Sequence, residues 1–402
     1  MSEKVENYDV VIIGASIAGN YLSYLLSGTN LKVAVIEEHM EVGRPLQCAG
    51  IISMKLTDLV SFPEDIILNR VNTAKILAPS GKYIKLAGEE KPYIIDRVRF
   101  DRYFYEQARS SENISFFLGE KYKSFEYSSE KSENCVLIQT SKRKLQSKLL
   151  IGCDGPLSSV ANQLGVQNDL IYASQIRTKA SFPPDEAMMY FDPLWKELFG
   201  WVVPEGKNGI CRIGLGSSIY IKRKFHNFLL RLNITLADKI EQQGGIIPYG
   251  LMNKIAYDHV LLLGDAAGQV KATTGGGIVM LLTAAKYAAS CIKKAFASMC
   301  FSQSFIETHY EQQCASTIGR QIKIHFIIRT IFAHFSEEDF DLFFQIVKTS
   351  KVEEIISLYG DIDFPLALFI RLLKNPLIFK FLLGFLRKNP LLLFKIFKIL
   401  FK

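Results

Sequence analysis

The stretch from Tyr8 to Gly19 constrains this chain more than any other. Val10–Ile13 has the unbroken apolar character of a strand covered on both faces, and Ile17–Leu26 carries the pattern of the helix behind it. The turn between them follows the dinucleotide fingerprint: Gly14 for the tight turn, Gly19 for close helix packing, and Ser16 in place of the middle glycine. Ala15 and Ala18 fill the small positions of that turn. Val33–Ile36 is the next strand, ending in Glu37 and Glu38, where an acid that accepts from a ribose hydroxyl is expected. Strand, helix, second strand and terminal acid in register specify the opening βαβ unit of a Rossmann-type α/β domain.

A second glycine–acid turn lies far downstream. The apolar run Val260–Leu263 ends in Gly264-Asp265-Ala266-Ala267-Gly268, read as a small-residue turn into a helix. Such a turn collects one carboxylate and several backbone N–H groups, suited to sugar hydroxyls and anionic oxygens. Thr273-Thr274-Gly275-Gly276-Gly277-Ile278 follows, and glycines there let the backbone pass close to a flat ligand. Between the two signatures, Leu149–Gly152 is another strand, running into Asp154-Gly155, with Ser158 and Ser159 placed to cap the next helix.

These three motifs, in this order, resemble the FAD-dependent oxidoreductases of the aromatic-hydroxylase-like superfamily. Further elements are similar to the geranylgeranyl reductase family: the Arg44-Pro45-Leu46-Gln47-Cys48-Ala49-Gly50 segment, the Arg97-Val98-Arg99-Phe100-Asp101 element and the Lys271–Ile278 loop, with Ala272 where proline is usual. Phe199-Gly200-Trp201-Val202-Val203-Pro204 is close to that family's aromatic-x-Trp-x-Phe-Pro element, with Val203 replacing Phe. The likeness spans roughly residues 8 to 330. It implies an extended FAD, with its ribose on Glu37 or Glu38, its pyrophosphate over Gly14–Gly19 and the late helix start, and its ribityl hydroxyls on Asp265. The ring would lie against Gly275, Gly276, Gly277 and Ile278, whose N–H groups would stabilise charge on the reduced flavin. By the same resemblance Cys48 and Ala49 lie near the ring, Cys48 either donating or relaying a proton or simply packing. Arg44 and Arg97 either contact the cofactor or hold the loop. Phe199, Trp201 and Pro204, with Trp195 nearby, are expected to line an apolar substrate channel, with core packing as the alternative.

The expected fold is a Rossmann-type FAD-binding domain (residues 1–73, 96–170 and 255–300), interrupted by a β-rich substrate domain (74–95 and 171–254). A helical region follows from 301 to 402, with a basic amphipathic tail from 364. Seven cysteines without a Cys-x-x-Cys pair, and six scattered histidines, argue against metal or iron–sulfur ligation. A disulfide among Cys291, Cys300 and Cys314 stays open, beside buried packing. With the first strand beginning almost at Met1, no leader is expected and a cytoplasmic location is.

The charge excess of +8 is local: from Phe364 to Lys402 there are eight basic residues and no acid, and the rest balances. Bulky aliphatics between those charges argue against nucleic acid. Lys374-Asn375-Pro376 recurs as Lys388-Asn389-Pro390, each Asn-Pro reading as a helix cap followed by a first-turn proline. In the last helix Lys395, Lys398 and Lys402 are expected opposite Leu393, Ile396, Phe397 and Leu400. No uncharged run approaches the roughly 18 residues of a spanning helix. The tail therefore reads as peripheral, lying on an anionic membrane surface, packed on the body as a helical subdomain, or forming an oligomer contact.

The resemblance to the geranylgeranyl reductases implies a reductase that saturates C=C bonds of a polyprenyl lipid, fed by a ferredoxin-like or NAD(P)H donor. A flavin monooxygenase of an apolar or aromatic substrate, and a membrane-surface flavin electron carrier, are the alternatives.

Overall fold

In the computed structural model, which describes residues 5–88, 91–128, 134–252, 254–350 and 352–400, the expected first strand is the centre of an eight-stranded sheet. Val5–Ile13 pairs in parallel with Val33–Glu37 on one side and Lys144–Gly152 on the other, and Ile114–Leu118 and Val260–Leu262 extend the parallel run. The helices Ile17–Leu26, Arg97–Arg109 and Ile278–Ser298 pack on this sheet, so Val10, Val11 and Ile12 are completely buried. Register does the functional work: Ile13 lies beside Gly152, and Gly152 beside Leu262. The three glycine turns, some 250 residues apart at the extremes, therefore emerge side by side at the carboxyl edge, where open α/β sheets bind ligands.

The second sheet has seven strands, in the order Lys239–Tyr249, Asp169–Lys179, Ile210–Ser217, Gly200–Pro204, Glu186–Tyr190, Thr73–Leu77 and Tyr83–Leu86. Its pairing is antiparallel except between Glu186–Tyr190 and Thr73–Leu77, because the chain runs through the first domain between those two strands. A small third sheet of Ile51–Ile52, Tyr93–Ile95 and Ile67–Arg70 bridges the two. The sequence gives little sign of it, since two- to four-residue strands carry no periodicity. Tyr122–Tyr127 and Val136–Thr140 form an antiparallel flap on Lys144–Gly152.

Gly264–Ala267 is one tight turn closed by Gly268 at φ +68°, and the long helix starts only at Ile278, with Gly277 at its N-cap. Ser158 does cap its helix, accepting from the Ala161 N–H, and Asp154 turns inward to accept from the N–H groups of Ser159 and Val160.

Beyond residue 319 the chain is a stack of helices: Arg320–Phe332, Glu337–Thr349, Val352–Tyr359, Leu366–Lys374, Pro376–Lys388 and Pro390–Leu400. Ser336 and Asp339 form a capping box at the second of these. Asn375 caps its helix through its side chain, whereas the Asn389 amide donates back to the Phe385 carbonyl instead. The tail packs on the body: Ile378, Phe381, Phe385, Leu392, Ile396 and Ile399 join Phe335, Phe340 and Phe344 in a second core. This corrects the expected apolar face of the last helix. Leu392, Ile396 and Ile399 face inward at i, i+4 and i+7, which leaves Leu393, Phe397 and Leu400 exposed with Lys395 and Lys398, while Lys402 lies outside the described residues. Among the described residues no helix is long and apolar enough to cross a membrane.

Candidate active site

At the carboxyl edge of the first sheet, Gly14 adopts φ +102°, and a Cβ there would sit 2.4 Å from the Cys153 carbonyl oxygen. Glycine is therefore required by both conformation and space. Gly19 backs directly onto the Gly14 carbonyl, and Ala18 packs against Gly264, so the first and last motifs touch. Glu37 reaches back to the turn, accepting from the Ala15 N–H at 2.7 Å and from the His39 N–H at 2.9 Å. Glu38 instead points outward to Lys121 at 3.0 Å. Of the two acids, only Glu37 belongs to the cradle.

Ser16, the departure from the fingerprint, donates to Asp101 at 3.1 Å, and Asp101 in turn holds the buried Arg97 at 3.0 Å. Burial opposes the charge of Arg97, but Asp101 and Cys48 on either side outweigh it and raise its pKa. Arg97 also faces Asp265, whose carboxyl is pushed up to about 6 by burial, against the pull of Arg97. Among the described residues no protein donor reaches the Asp265 carboxylate. Its oxygen lies beside Gly277, 3.5 Å from where a Cβ would be. Arg44 stands apart on the rim, half exposed and 3.4 Å from Glu241.

Cys48 is half-buried, with its Sγ 3.3 Å from the Gly50 N–H. The segment it belongs to is pinned by Arg212, which the sequence reading missed. Buried Arg212 bonds Glu205 at 2.7 Å and donates to the carbonyls of Ala49 and Ile95 at 2.8 and 3.3 Å. Gly50 has φ +74°, and a Cβ there would collide with that guanidinium at 2.2 Å. Burial works against the Glu205 carboxylate, but Arg177 and Arg212 hold its pKa below the ordinary range.

Between the sheets lies a cavity of about 400 Å³, walled mainly by apolar side chains. Its lining includes Cys48, Ala49, Gly275 and Gly276, then Phe199, Trp201 and Met189, and also Ile356 and Leu368 of the C-terminal helices. Pro204 does not line it: strand alternation puts Trp201 and Val203 on the cavity face and Val202 and Pro204 on the other. Trp195 is also core, donating to the Tyr190 carbonyl at 3.0 Å. At the floor Lys271 is paired with buried Asp363, which also accepts from Ser53, while His325 donates to the Asp363 carbonyl at 3.1 Å and accepts from Thr273 at 2.5 Å. Among the described residues no cysteine takes part in a disulfide.

Comparison with known proteins gives this geometry a family context. Residues 7–178 match the family model described as an FAD binding domain. Digeranylgeranylglycerophospholipid reductase 1 of Methanococcoides burtonii is 28% identical over 356 residues, covering 84% of this chain and 86% of that protein. This chain is an FAD-dependent oxidoreductase, similar over most of its length to digeranylgeranylglycerophospholipid reductases. In fold, the flavoprotein matches a geranylgeranyl bacteriochlorophyll reductase-like protein of Thermoplasma acidophilum, with a TM-score of 0.77, 22% identity, and 98% and 100% of the two chains covered. It also matches p-nitrophenol 4-monooxygenase of Pseudomonas putida, with a TM-score of 0.67, 17% identity, and 88% and 97% covered.

The residues of this flavoprotein fit FAD on their own terms. The unpartnered Asp265 carboxylate needs hydroxyl donors, and the Gly14 turn offers backbone N–H groups next to a ribose-height acid, Glu37. Gly14, Ala15, Ala18, Gly19 and Glu37 would hold the adenosine and pyrophosphate end, with Gly264, Asp265 and Arg97 the ribityl end and Ala49, Gly275, Gly276, Gly277 and Ile278 the ring. Bound FAD supplies hydride chemistry. The chain supplies a cavity from which apolar walls exclude water, and a pinned loop beside it. The Arg97–Asp101 spacing of i, i+4 was a legible hint of the ion pair. Arg212–Glu205 and Lys271–Asp363 had no local signal.

Proposed function

We propose that this flavoprotein saturates C=C bonds in the polyprenyl chains of an ether-type phospholipid or its precursor, working at a membrane surface. The observation that carries the reading is the cavity. The glycine loop, Cys48 and the C-terminal helices all contribute to its walls, and those walls are mainly apolar. The names of the curated relatives support the same substrate class.

The two helices that follow those lining the cavity, Pro376–Lys388 and Pro390–Leu400, carry an exposed apolar and basic surface. Leu391 is 85% exposed, and Leu377, Phe379, Phe394 and Phe397 are each about half exposed or more, among basic residues without a single acid. That combination suits insertion of side chains into an anionic interface, on two helices of which the first packs against Leu366–Lys374, whose Leu368 lines the cavity.

The test is anaerobic. Protein loaded with FAD is chemically reduced, offered a geranylgeranyl ether lipid, and the lipid is weighed by mass spectrometry before and after admission of air. Gain of dihydrogen per double bond without oxygen is expected. Gain of an oxygen atom only in air would make the protein a monooxygenase, and an unchanged lipid would make it an electron carrier.

A further inference from the structure

Four strands of the second sheet place Trp201, Gly214, Gln175 and Gln243 in one row. Trp201 is in register with Gly214, Gly214 with Gln175, and Gln175 with Gln243. Gly214 leaves its place in the row empty: a Cβ there would lie 2.3 Å from the Trp201 ring, so the indole spans the gap. Its Nε1–H reaches the Gln175 Oε1 at 2.7 Å, and the Gln175 Nε2 donates to the Gln243 Oε1 at 2.6 Å.

The direction of this chain is fixed by chemistry. An indole N–H can only donate, so Gln175 must turn its oxygen to Trp201 and its nitrogen to Gln243. Gln243 must then answer with its oxygen, which leaves its NH₂ as the free end. Reversing either amide would set two donors or two acceptors against each other. The Gln243 Nε2 is buried and has no hydrogen-bond partner among the described residues, although both glutamines are about 95% buried, at 5% and 6% exposure. Gln243 sits in the cavity wall close to Cys48, whose carbonyl lies 3.5 Å from the Gln175 Nε2. A buried donor without an acceptor costs stability unless a ligand supplies one.

We propose that the Gln243 Nε2 is a ligand-binding donor, oriented by Trp201 through Gln175, for an acceptor oxygen of the molecule that fills the cavity. The oxygen has two sources within the proposed function on which this inference rests: a carbonyl of the flavin ring, or the oxygen carried by the lipid. On this view Trp201 has two duties, walling the channel with its ring and setting the polarity of the row with its N–H. Gln175 and Trp201 are positioning residues.

The test uses the full chain and two binding measurements: FAD by flavin fluorescence, and geranylgeraniol in detergent on the flavin-loaded protein, with an oxygen-free hydrocarbon of the same length as control. Gln243→Leu is expected to weaken one of the two by about tenfold, the loss of one hydrogen bond to a buried group. A shift in FAD assigns the flavin oxygen. A shift in geranylgeraniol but not in the hydrocarbon assigns the lipid oxygen. Gln243→Glu, nearly the same shape, still accepts from Gln175 but presents an acceptor at its free end, so it should weaken binding at least as much as the leucine. A packing role would give the opposite order. Trp201→Phe releases the row to reverse and should weaken the same ligand by a smaller factor. Both binding constants within twofold of wild type in Gln243→Leu and Gln243→Glu would overturn the proposal. Wild-type binding of FAD without geranylgeraniol would overturn the substrate reading and leave the flavin arm to decide on Gln243.

Discussion

Lys271 and Asp363 are 92 residues apart in the chain and form an ion pair whose side chains are only 7% and 1% exposed. The backbone of Lys271 closes the glycine loop, donating to Gly276 at 3.1 Å and accepting from Gly275 at 2.8 Å. The pair thus staples the glycine loop in the cavity wall to the segment that begins the C-terminal tail.

Removing one member should cost more than removing both. Asp363→Ala leaves a buried ammonium without a counter-charge, and should lower unfolding free energy by about 3–5 kcal/mol in urea titrations. Lys271→Met with Asp363→Leu restores an apolar contact and should recover most of that loss. A single-variant cost below about 1 kcal/mol would show that the pair is not buried in solution.

Gly14→Ala tests the cradle. The added Cβ meets the Cys153 carbonyl oxygen at 2.4 Å in a backbone conformation with φ +102° that alanine disfavours. The turn must then move away from its neighbouring strand, and the variant should purify without yellow colour and bind added FAD at least tenfold more weakly. Retention of stoichiometric flavin would mean that this turn does not hold the pyrophosphate.

How much of this was legible depends on whether the signal is local. Helix Ile17–Leu26, the strands on either side of it and the glycine turns were readable because burial on both faces and turn chemistry are written in consecutive residues. The convergence of those turns was inferred from motif order, and the register of Ile13, Gly152 and Leu262 realises it. What stayed hidden depends on long-range partners. Nothing near Arg212 announces that it pins Ala49, and nothing near Asp363 points to Lys271 or Ser53. Pro204 was misplaced for a simpler reason: a motif names a strand but not which of its alternate faces meets the cavity. In the last helix, two overlapping apolar faces competed, and the sequence offered no way to choose the one that packs.

Half-buried Asp265 and buried His325 should give opposite pH dependences. Burial pushes the Asp265 carboxyl up to about 6 despite Arg97, so its contribution to stability is complete below its unfolded value and is lost as pH rises through 6. Burial, aided by Lys271, pushes His325 down to about 4, so its contribution is complete above its unfolded value and is lost as pH falls toward 4. Between pH 4.5 and 6.5 these slopes offset each other in the wild-type apoprotein. Asp265→Asn should therefore gain about 2 kcal/mol relative to wild type as pH rises across that window, and His325→Gln about 2 kcal/mol as pH falls. Denaturant titrations at the two pH values read both differences. A pH-independent difference for either variant would place that group in contact with water.

The tail prediction must separate membrane contact from folding, because deleting the last helices would strip Ile378, Phe381, Phe385 and Ile396 from the second core. Charge changes on the exposed face avoid that. Lys395, Lys398 and Lys388 lie on exposed positions of the last two helices, each worth about 1 kcal/mol near an anionic surface. The triple change to glutamine should weaken binding to phosphatidylglycerol vesicles by roughly a hundredfold, while the melting temperature stays within about 2 °C. Phe394→Ser with Phe397→Ser should weaken binding to both anionic and neutral vesicles, since that change removes apolar insertion rather than charge. Vesicle flotation at low and high salt reads the two contributions separately: salt should abolish the effect of the glutamines and leave the effect of the serines. If wild type fails to float with anionic vesicles at low salt, the exposed face is not a membrane surface, and the lipid must reach the cavity by another route.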